Sequence, residues 1–151
     1  MKNTRIRIWG AAAAAMLATI TAAAMTATEA IEQRKKEMEG VRDGIVALSA
    51  IAKKEQPFDV DVVRANAEKI AAHLETAASL FPDGSDAGDV KTAAKPEIWT
   101  DRANFDTILA SSHQAAVDLQ SVTEESAFPA ALGTLGNTCK SCHDIYKAAQ
   151  Q

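Results

Sequence analysis

Hydrophobic residues recur in alternating steps of three and four along four segments of the chain, a pattern typical of helices that bury one face. The first segment runs from about Thr28 to Lys54, and either Asp59 or Asp61 can cap the second. Pro82-Asp83-Gly84-Ser85 and a polar stretch separate the second segment from the third. The inward positions of the four segments are, in order, Ile31, Met38, Val41, Ile45, Leu48 and Ala52; Val63, Ala67, Ile70, Leu74, Ala77 and Phe81; Phe105, Ile108, Ser112, Ala115, Leu119 and Val122; and Phe128, Leu132, Leu135, Cys139, Cys142 and Tyr146. Because no segment shows strand alternation of useful length and two of the connections are short, the sequence predicts an all-α, up-down-up-down antiparallel four-helix bundle.

The N-terminal residues have a different pattern, which is typical of a secretory signal peptide. Three positive charges precede an apolar stretch from Ile8 to about Ala24, and small residues suited to cleavage follow. The alternative is a transmembrane anchor, but this stretch is short for a bilayer span and contains Gly10. We therefore expect residues 1–24 to be removed, with the boundary defined to within a few residues, and residues 25–151 to form one exported domain in the periplasm without stable membrane insertion.

Composition agrees with a single helical domain. The chain has 151 residues, 47% of them hydrophobic and only 5% aromatic, and alanine and straight-chain charged residues favour helix. Lys and Arg number 16 against 20 Asp and Glu, without a sustained basic run, which argues against nucleic acid as a partner. Loss of Lys2, Arg5 and Arg7 with the signal peptide takes the formal net charge from −4 to −7. An acidic protein of this kind favours a partner with a basic docking surface.

The two cysteines of the chain stand three residues apart, in Cys139-Lys140-Ser141-Cys142-His143. Cys-x-x-Cys-His is the attachment motif for haem c, in which the two thiols form thioether links to the macrocycle and the histidine binds iron. Cys139 and Cys142 occupy inward positions of the fourth helix, and His143 lies one turn from Cys139. The motif therefore predicts one haem c bound within the bundle, with Cys139 and Cys142 as covalent attachment sites and His143 as an axial ligand.

Three other interpretations of the cysteines are open. A redox Cys-x-x-Cys normally begins a helix that follows a strand, and no strand is predicted here. A zinc site needs further Cys or His ligands, whereas His73 and His113 stand alone on other helices. A disulfide suits an oxidising compartment, but neighbouring turns of one helix give it poor geometry.

The sixth ligand of the iron decides between functions. Met38 lies on the inward face of the first helix, which the predicted topology places beside the fourth. A thioether opposite His143 raises the haem potential and suits electron transfer. Met38 is otherwise a flexible core residue, the common role of a buried methionine. His73 and His113 are weaker rivals as ligands.

Three further features bear on a haem in the bundle. Arg34, one turn before Met38, is a candidate partner for a haem propionate, the alternative being an exposed arginine near the helix end. Lys147, one turn after His143, is either a solvated lysine or a cation at the haem edge. Gly133 and Gly136 either admit a flat macrocycle or mark a helix that begins late after a loose turn.

The chain resembles the cytochrome c′ superfamily and, within it, the low-spin, Met-ligated cytochrome c-556 branch. The segments that carry the resemblance are MEGVRDGIVALSAIAKKEQPFD (38–59), LFPDG (80–84), KPEIWTDRANFD (95–106) and CKSCHDIYK (139–147). The resemblance covers essentially the whole chain after the signal peptide. It implies covalent haem on Cys139 and Cys142, His143 as proximal ligand, and Met38 at the position of the sixth ligand. Lys147 stands where the family more often has arginine, and Trp99 and Phe105 match residues between the long loop and the third helix.

The sequence thus predicts a periplasmic mono-haem cytochrome that transfers electrons and is not an enzyme, since no Ser/His/Asp arrangement or paired-carboxylate signal is present. Its expected partners are redox proteins of unknown identity, and the chain is either a monomer or a homodimer. The alternative is a five-coordinate haem protein that binds nitric oxide or carbon monoxide, with Met38 only packing over the distal face. Haem peroxidase activity is a third hypothesis, for which His73 and His113 are poor distal residues.

Overall fold

The computed structural model describes residues 25–149, which form four long helices and one short one. The helices are α1 (Ala27–Ala52), α2 (Val60–Ala78), α3 (Glu97–Thr100), α4 (Arg102–Gln120) and α5 (Phe128–Tyr146). The four segments expected from hydrophobic periodicity are α1, α2, α4 and α5, so the all-α four-helix bundle is confirmed. The one-turn α3 was not anticipated, and the predicted signal peptide lies outside the described residues.

The four long helices pack around a common core as a bundle, and one of the four sides of the bundle is loosely packed. α1 packs along α2, α2 along α4, and α4 along α5, whereas α1 and α5 make few direct contacts and the diagonal pairs make none. We call this loose side, between residues 27–52 and 128–146, the α1/α5 seam. Among the described residues, no helix is long and apolar enough to cross a membrane.

Polar side chains define where α1 and α2 begin. The Thr26 hydroxyl accepts a hydrogen bond from the Glu29 backbone N–H (3.2 Å), and the Glu29 carboxylate accepts one from the Thr26 N–H (2.8 Å). This capping box satisfies two backbone donors that the helix cannot, and its hydrogen bonds lower the pKa of Glu29. At α2, Asp59 Oδ1 accepts from the Asp61 and Val62 N–H groups at 2.9 and 3.1 Å, so Asp59 is the cap.

Two glycines allow α1 to approach α2 closely. A Cβ added at Gly44 would lie 2.6 Å from Ile70 Cγ1, and one at Gly40 would lie 2.3 Å from His73 Nε2. Carbon atoms in favourable contact are about 3.5–4.0 Å apart. The interface between the two helices therefore depends on the missing side chains at these positions.

Candidate haem site

The Cys-x-x-Cys-His motif lies in the last two turns of α5, at the edge of the core. Cys139 and Cys142 are half-buried, pack against the hydrophobic core and are not disulfide-bonded. His143 is exposed and borders an open surface depression together with Lys147 and Ala148. One face of α5 thus presents two thiols to the apolar interior and an imidazole beside them.

Burial keeps both thiols protonated. It raises the pKa of Cys139, and it raises that of Cys142 to about 11, with the neighbouring Cys139 adding to the effect. A redox-active Cys-x-x-Cys pair has the opposite property, because its thiolate must form near neutral pH. The electrostatics of this pair therefore disfavour thiol–disulfide exchange.

The imidazole of His143 is in the state that binds metal ions. Although His143 is exposed overall, the protein packed around its ring lowers the pKa, and Lys147 lowers it further, while Asp144 raises it. The neutral imidazole is consequently the prevailing form near pH 7, and only that form has a lone pair to give to a metal.

The turn after His143 is fixed by contacts to α4 and to the long loop between α2 and α3, residues 79–96. Tyr146, 2% exposed, donates its hydroxyl hydrogen to Asp101 Oδ2 (2.8 Å) and accepts one from Asn104 Nδ2 (2.7 Å). Its ring meets the Phe105 ring edge to face, with centroids 5.3 Å apart. The sequence pattern identified Tyr146 as inward-facing, but its polar partners lie about 45 residues away and carried no local signal.

A short antiparallel pairing of backbone groups closes the same end. The Lys95 N–H donates to the Tyr146 carbonyl (2.9 Å), and the Ala148 N–H donates to the Ala93 carbonyl (2.8 Å). Lys95 Nζ also donates to the Ile145 carbonyl at 2.6 Å. The bonds to the Tyr146 and Ile145 carbonyls satisfy acceptors that the end of α5 leaves without helical partners, and all three bonds join the loop to the turn that follows the motif.

Met38 lies on α1 where the sequence placed it, half-buried and packed against the hydrophobic core that also contacts Cys139 and Cys142. The other methionine among residues 25–149 is Met25, which is 44% exposed and precedes α1. Of the two methionines among residues 25–149, Met38 is therefore the one that packs against the same hydrophobic core as Cys139 and Cys142. Met38 belongs to α1 and the motif belongs to α5. The α1/α5 seam between these two helices is the most sparsely packed side of the bundle.

The two rival histidines are engaged elsewhere. His73 Nδ1 donates to Glu37 Oε2 at 2.6 Å, a link between α2 and α1. His113 lines an open groove between α2 and α4, with Leu74 and Ala110. Neither histidine adjoins the Cys-x-x-Cys-His motif, and residues 25–149 assemble no group of three or more His, Cys, Asp or Glu side chains suited to a metal ion.

Arg34 is buried, at 3% exposure, and holds the long loop. Its two terminal nitrogens donate to the Leu80 carbonyl (3.4 Å), the Ser85 hydroxyl (3.1 Å), the Ser85 carbonyl (2.7 Å) and the Thr92 hydroxyl (2.9 Å). Its guanidinium carbon also lies 5.1 Å from the Phe81 ring centroid and 5.6 Å from that of Trp99. The alternative of an exposed arginine is therefore wrong. The propionate role stays a prediction, since the described partners of Arg34 all belong to the loop and to the two aromatic rings.

Trp99 also anchors the same loop. Its indole N–H donates to the Pro82 carbonyl at 3.0 Å, and its ring packs 6.2 Å from that of Phe81.

Gly133 and Gly136 lie on exposed surface of α5, where an added Cβ would meet no atom within 4 Å. Lys147 is exposed, in agreement with a solvated lysine beside His143.

A four-helix bundle whose last helix presents Cys-x-x-Cys-His, with both thiols on the core side, is the arrangement of a c-type cytochrome. A family model described as "Cytochrome C'" matches residues 29–147, and the chain belongs to the cytochrome c′ family.

Relatives of this family bear two different names. A cytochrome c′ of Rhodopseudomonas palustris is 35% identical over 127 residues, covering 83% of this chain and 86% of the relative. A cytochrome c-556 of Agrobacterium fabrum is 32% identical over 140 residues, covering 89% and 92%. The solved structure of cytochrome c′ from R. palustris superposes with a TM-score of 0.76 at 34% identity, covering 81% of this chain and 98% of that one. Sequence identity alone does not separate the two groups.

The cofactor follows from family membership, because cytochromes c′ carry one covalently attached haem c. The residues described here fit that group. Two unbridged thiols one turn apart face an apolar core, a neutral imidazole follows them directly, and the adjacent α1/α5 seam is sparsely packed.

Proposed function

We propose that this chain is an electron-transfer cytochrome with His143 and Met38 as the two axial ligands of a single haem c. The observation that supports the proposal most directly is the shared apolar environment of Met38, Cys139 and Cys142. His73 is held by Glu37 and His113 lies on the α2/α4 groove, which leaves Met38 as the favoured sixth ligand.

Each residue has a defined part in this proposal. Cys139 and Cys142 would hold the macrocycle through thioether links, and His143 would bind iron through its neutral imidazole. When bound, the haem supplies an iron that alternates between the ferrous and ferric states. A soft thioether from Met38 favours the ferrous state, so Met38 would raise the potential. The contacts of Tyr146 and the loop hold the His143 turn in place, and the apolar core excludes water from the thiol side.

The proposed setting is the periplasm, with redox proteins as partners and no catalytic activity of the chain itself. We retain the expectation that the protein is a monomer or a homodimer. The formal charge of −7 that remains without residues 1–24 favours a partner with a basic docking surface.

Binding of nitric oxide or carbon monoxide is the second candidate. This function is favoured by the likeness to proteins named cytochrome c′. It is also favoured by the packing of Met38 against the core, which is the ordinary structural role of a buried methionine. In that case the distal position would stay open to a small gas, and Met38 would contribute only bulk.

The spin state of the oxidised holoprotein distinguishes these functions. We expect a low-spin, six-coordinate optical and electron spin resonance spectrum that becomes high-spin in Met38→Leu, a substitution of similar volume. A high-spin spectrum in the unaltered protein would support the gas-binding function. A low-spin spectrum that persists in Met38→Leu would show that another residue is the ligand.

The attachment residues are tested separately by mass and thiol content. We expect the exported protein to carry the added mass of one haem and no thiol that reacts after denaturation. A colourless protein with two reactive thiols would contradict the assignment of Cys139 and Cys142.

A further inference from the structure

An imidazole from α2 lies across the turn of α1 that carries Met38. His73 Nδ1 donates to Glu37 Oε2 at 2.6 Å, and only 12% of the Glu37 side chain is exposed. On the other side of Met38, the absent side chain at Gly40 makes room for the ring. A Cβ there would lie 2.3–2.6 Å from His73 Nε2, Cε1 and Cδ2. One histidine thus contacts Glu37, directly before Met38, and Gly40, two residues after it.

These contacts fix two properties of α1. The bond to Glu37 resists rotation of α1 about its axis, because the carboxylate must keep facing α2. The ring of His73 fits into the space that Gly40 leaves on the surface of α1, and this fit opposes sliding of α1 along its axis. Glu37 and His73 make no other side-chain hydrogen bond among the described residues, so the link is specific to this turn.

The α2 side matters here because the opposite side of α1 is weakly supported. α1 packs extensively on α2 but makes few contacts with α5 across the α1/α5 seam. The orientation of the Met38 turn is therefore set mainly from α2, and His73 is its polar contact there.

We propose that His73 and Glu37, with the space provided by Gly40, are positioning residues that hold Met38 at the angle and depth required for bonding to the haem iron. This inference rests on the proposed function, in which Met38 is the sixth ligand. His73 itself acts through α1 and does not touch the iron.

The test compares holoproteins with His73→Ala, Glu37→Gln and Ile70→Val. Ile70→Val is the matched control, since Ile70 is fully buried in the same α1/α2 interface but faces Gly44, beyond the Met38 turn. Optical spectra and electron spin resonance report the low-spin fraction, voltammetry reports the potential, and urea unfolding reports stability. We expect His73→Ala to lose part of the low-spin signal, Glu37→Gln to lose less, and Ile70→Val to retain the signal despite reduced stability.

The potential gives a second readout that a purely structural role would not change. If His73→Ala weakens methionine binding to ferrous iron tenfold more than binding to ferric iron, the potential falls by about 59 mV for this one-electron couple. His73→Asn keeps an N–H donor near the position of Nδ1, and we expect it to restore part of the signal and of the potential.

The outcomes separate this inference from the function on which it rests. Loss of the low-spin signal in Met38→Leu, together with an unchanged spectrum and potential in His73→Ala, would overturn the positioning role and leave Met38 as ligand. A low-spin spectrum unaffected by Met38→Leu would overturn both. Equal spectral changes in His73→Ala and Ile70→Val would show general loosening of the interface and would also overturn the positioning role.

Discussion

At Gly44, α1 lies against the buried side chain of Ile70 on α2, and replacement of this glycine by alanine tests the interface. A Cβ at this position would lie 2.6 Å from Ile70 Cγ1 and 2.9 Å from Ile70 Cδ1. Ile70 is completely buried, and Cγ1 is attached directly to its branched Cβ, so the side chain cannot swing into solvent. We expect Gly44→Ala to force the helices apart.

The magnitude follows from two opposing contributions. Alanine is about 1 kcal/mol more favourable than glycine within a helix. Overpacking of a filled core costs about 1–3 kcal/mol, and a contact as short as 2.6 Å to a fixed side chain belongs at the upper end. The net loss should be about 2 kcal/mol. In an Ile70→Ala background, which itself costs about 2–5 kcal/mol, the clash is gone and Gly44→Ala should stabilise by about 1 kcal/mol.

Urea unfolding of the four holoproteins, followed by far-ultraviolet circular dichroism, measures this cycle. The expected coupling free energy between positions 44 and 70 is about 3 kcal/mol. Gly44→Ala should lower stability when Ile70 is present and raise it in the Ile70→Ala background. Gly133→Ala is the control, because Gly133 lies on α5, which does not contact α2, and its effect should be the same in both backgrounds. Destabilisation by Gly44→Ala in both backgrounds would refute the proposed steric cause.

Two further predictions concern buried polar groups. Arg34→Lys should lower the free energy of unfolding in urea by about 2–3 kcal/mol, because a single ammonium cannot replace a guanidinium that donates to four acceptors. The control is Arg42→Lys, at an exposed arginine of the same helix, which should change stability by less than about 0.5 kcal/mol. Equal small effects would contradict the role of Arg34 in the loop. Burial and the hydrogen bond to Asp101 raise the pKa of Tyr146. The protonated Tyr146 side chain therefore contributes its full stabilisation below the unfolded-state pKa of about 10, and this stabilisation is lost as pH rises through the folded-state pKa. Unfolding free energies measured from about pH 8 to 11 should fall less steeply in Tyr146→Phe than in the unaltered protein; parallel curves would contradict this linkage.

Local sequence signals were sufficient for the four long helices and for the motif. Heptad-like spacing of apolar residues depends only on helical geometry. The inward positions predicted for α2 from Val63 to Ala77 are all buried, and Ala71 is buried in addition. The side chain of Asp59 caps α2 with atoms only two and three residues away. The Cys-x-x-Cys-His motif is likewise contained within one helix, so its elements could be placed from the sequence.

Long-range polar pairs could not be predicted in the same way. Arg34 binds Ser85 and Thr92, which are more than 50 residues distant and lie in a loop without periodicity. His73 meets Glu37 only because α1 and α2 pack in one particular register. No local pattern specifies that register, although glycines at positions 40 and 44 on one helix face indicate where another element approaches.

The two proposed axial ligands are therefore supported by different parts of the molecule. His143 belongs to a turn held by Tyr146 and by backbone bonds from residues 93–95, all on the α4 and loop side. Met38 belongs to a turn held by His73 on α2, across the bundle from those contacts. α2 and α5 occupy diagonal positions without direct packing, so these two sets of contacts are connected only through α4, through the sparse α1/α5 seam and through the loop that Arg34 joins to α1. Substitution of His73 should consequently act mainly on the sixth ligand, and substitution of Tyr146 mainly on the histidine side.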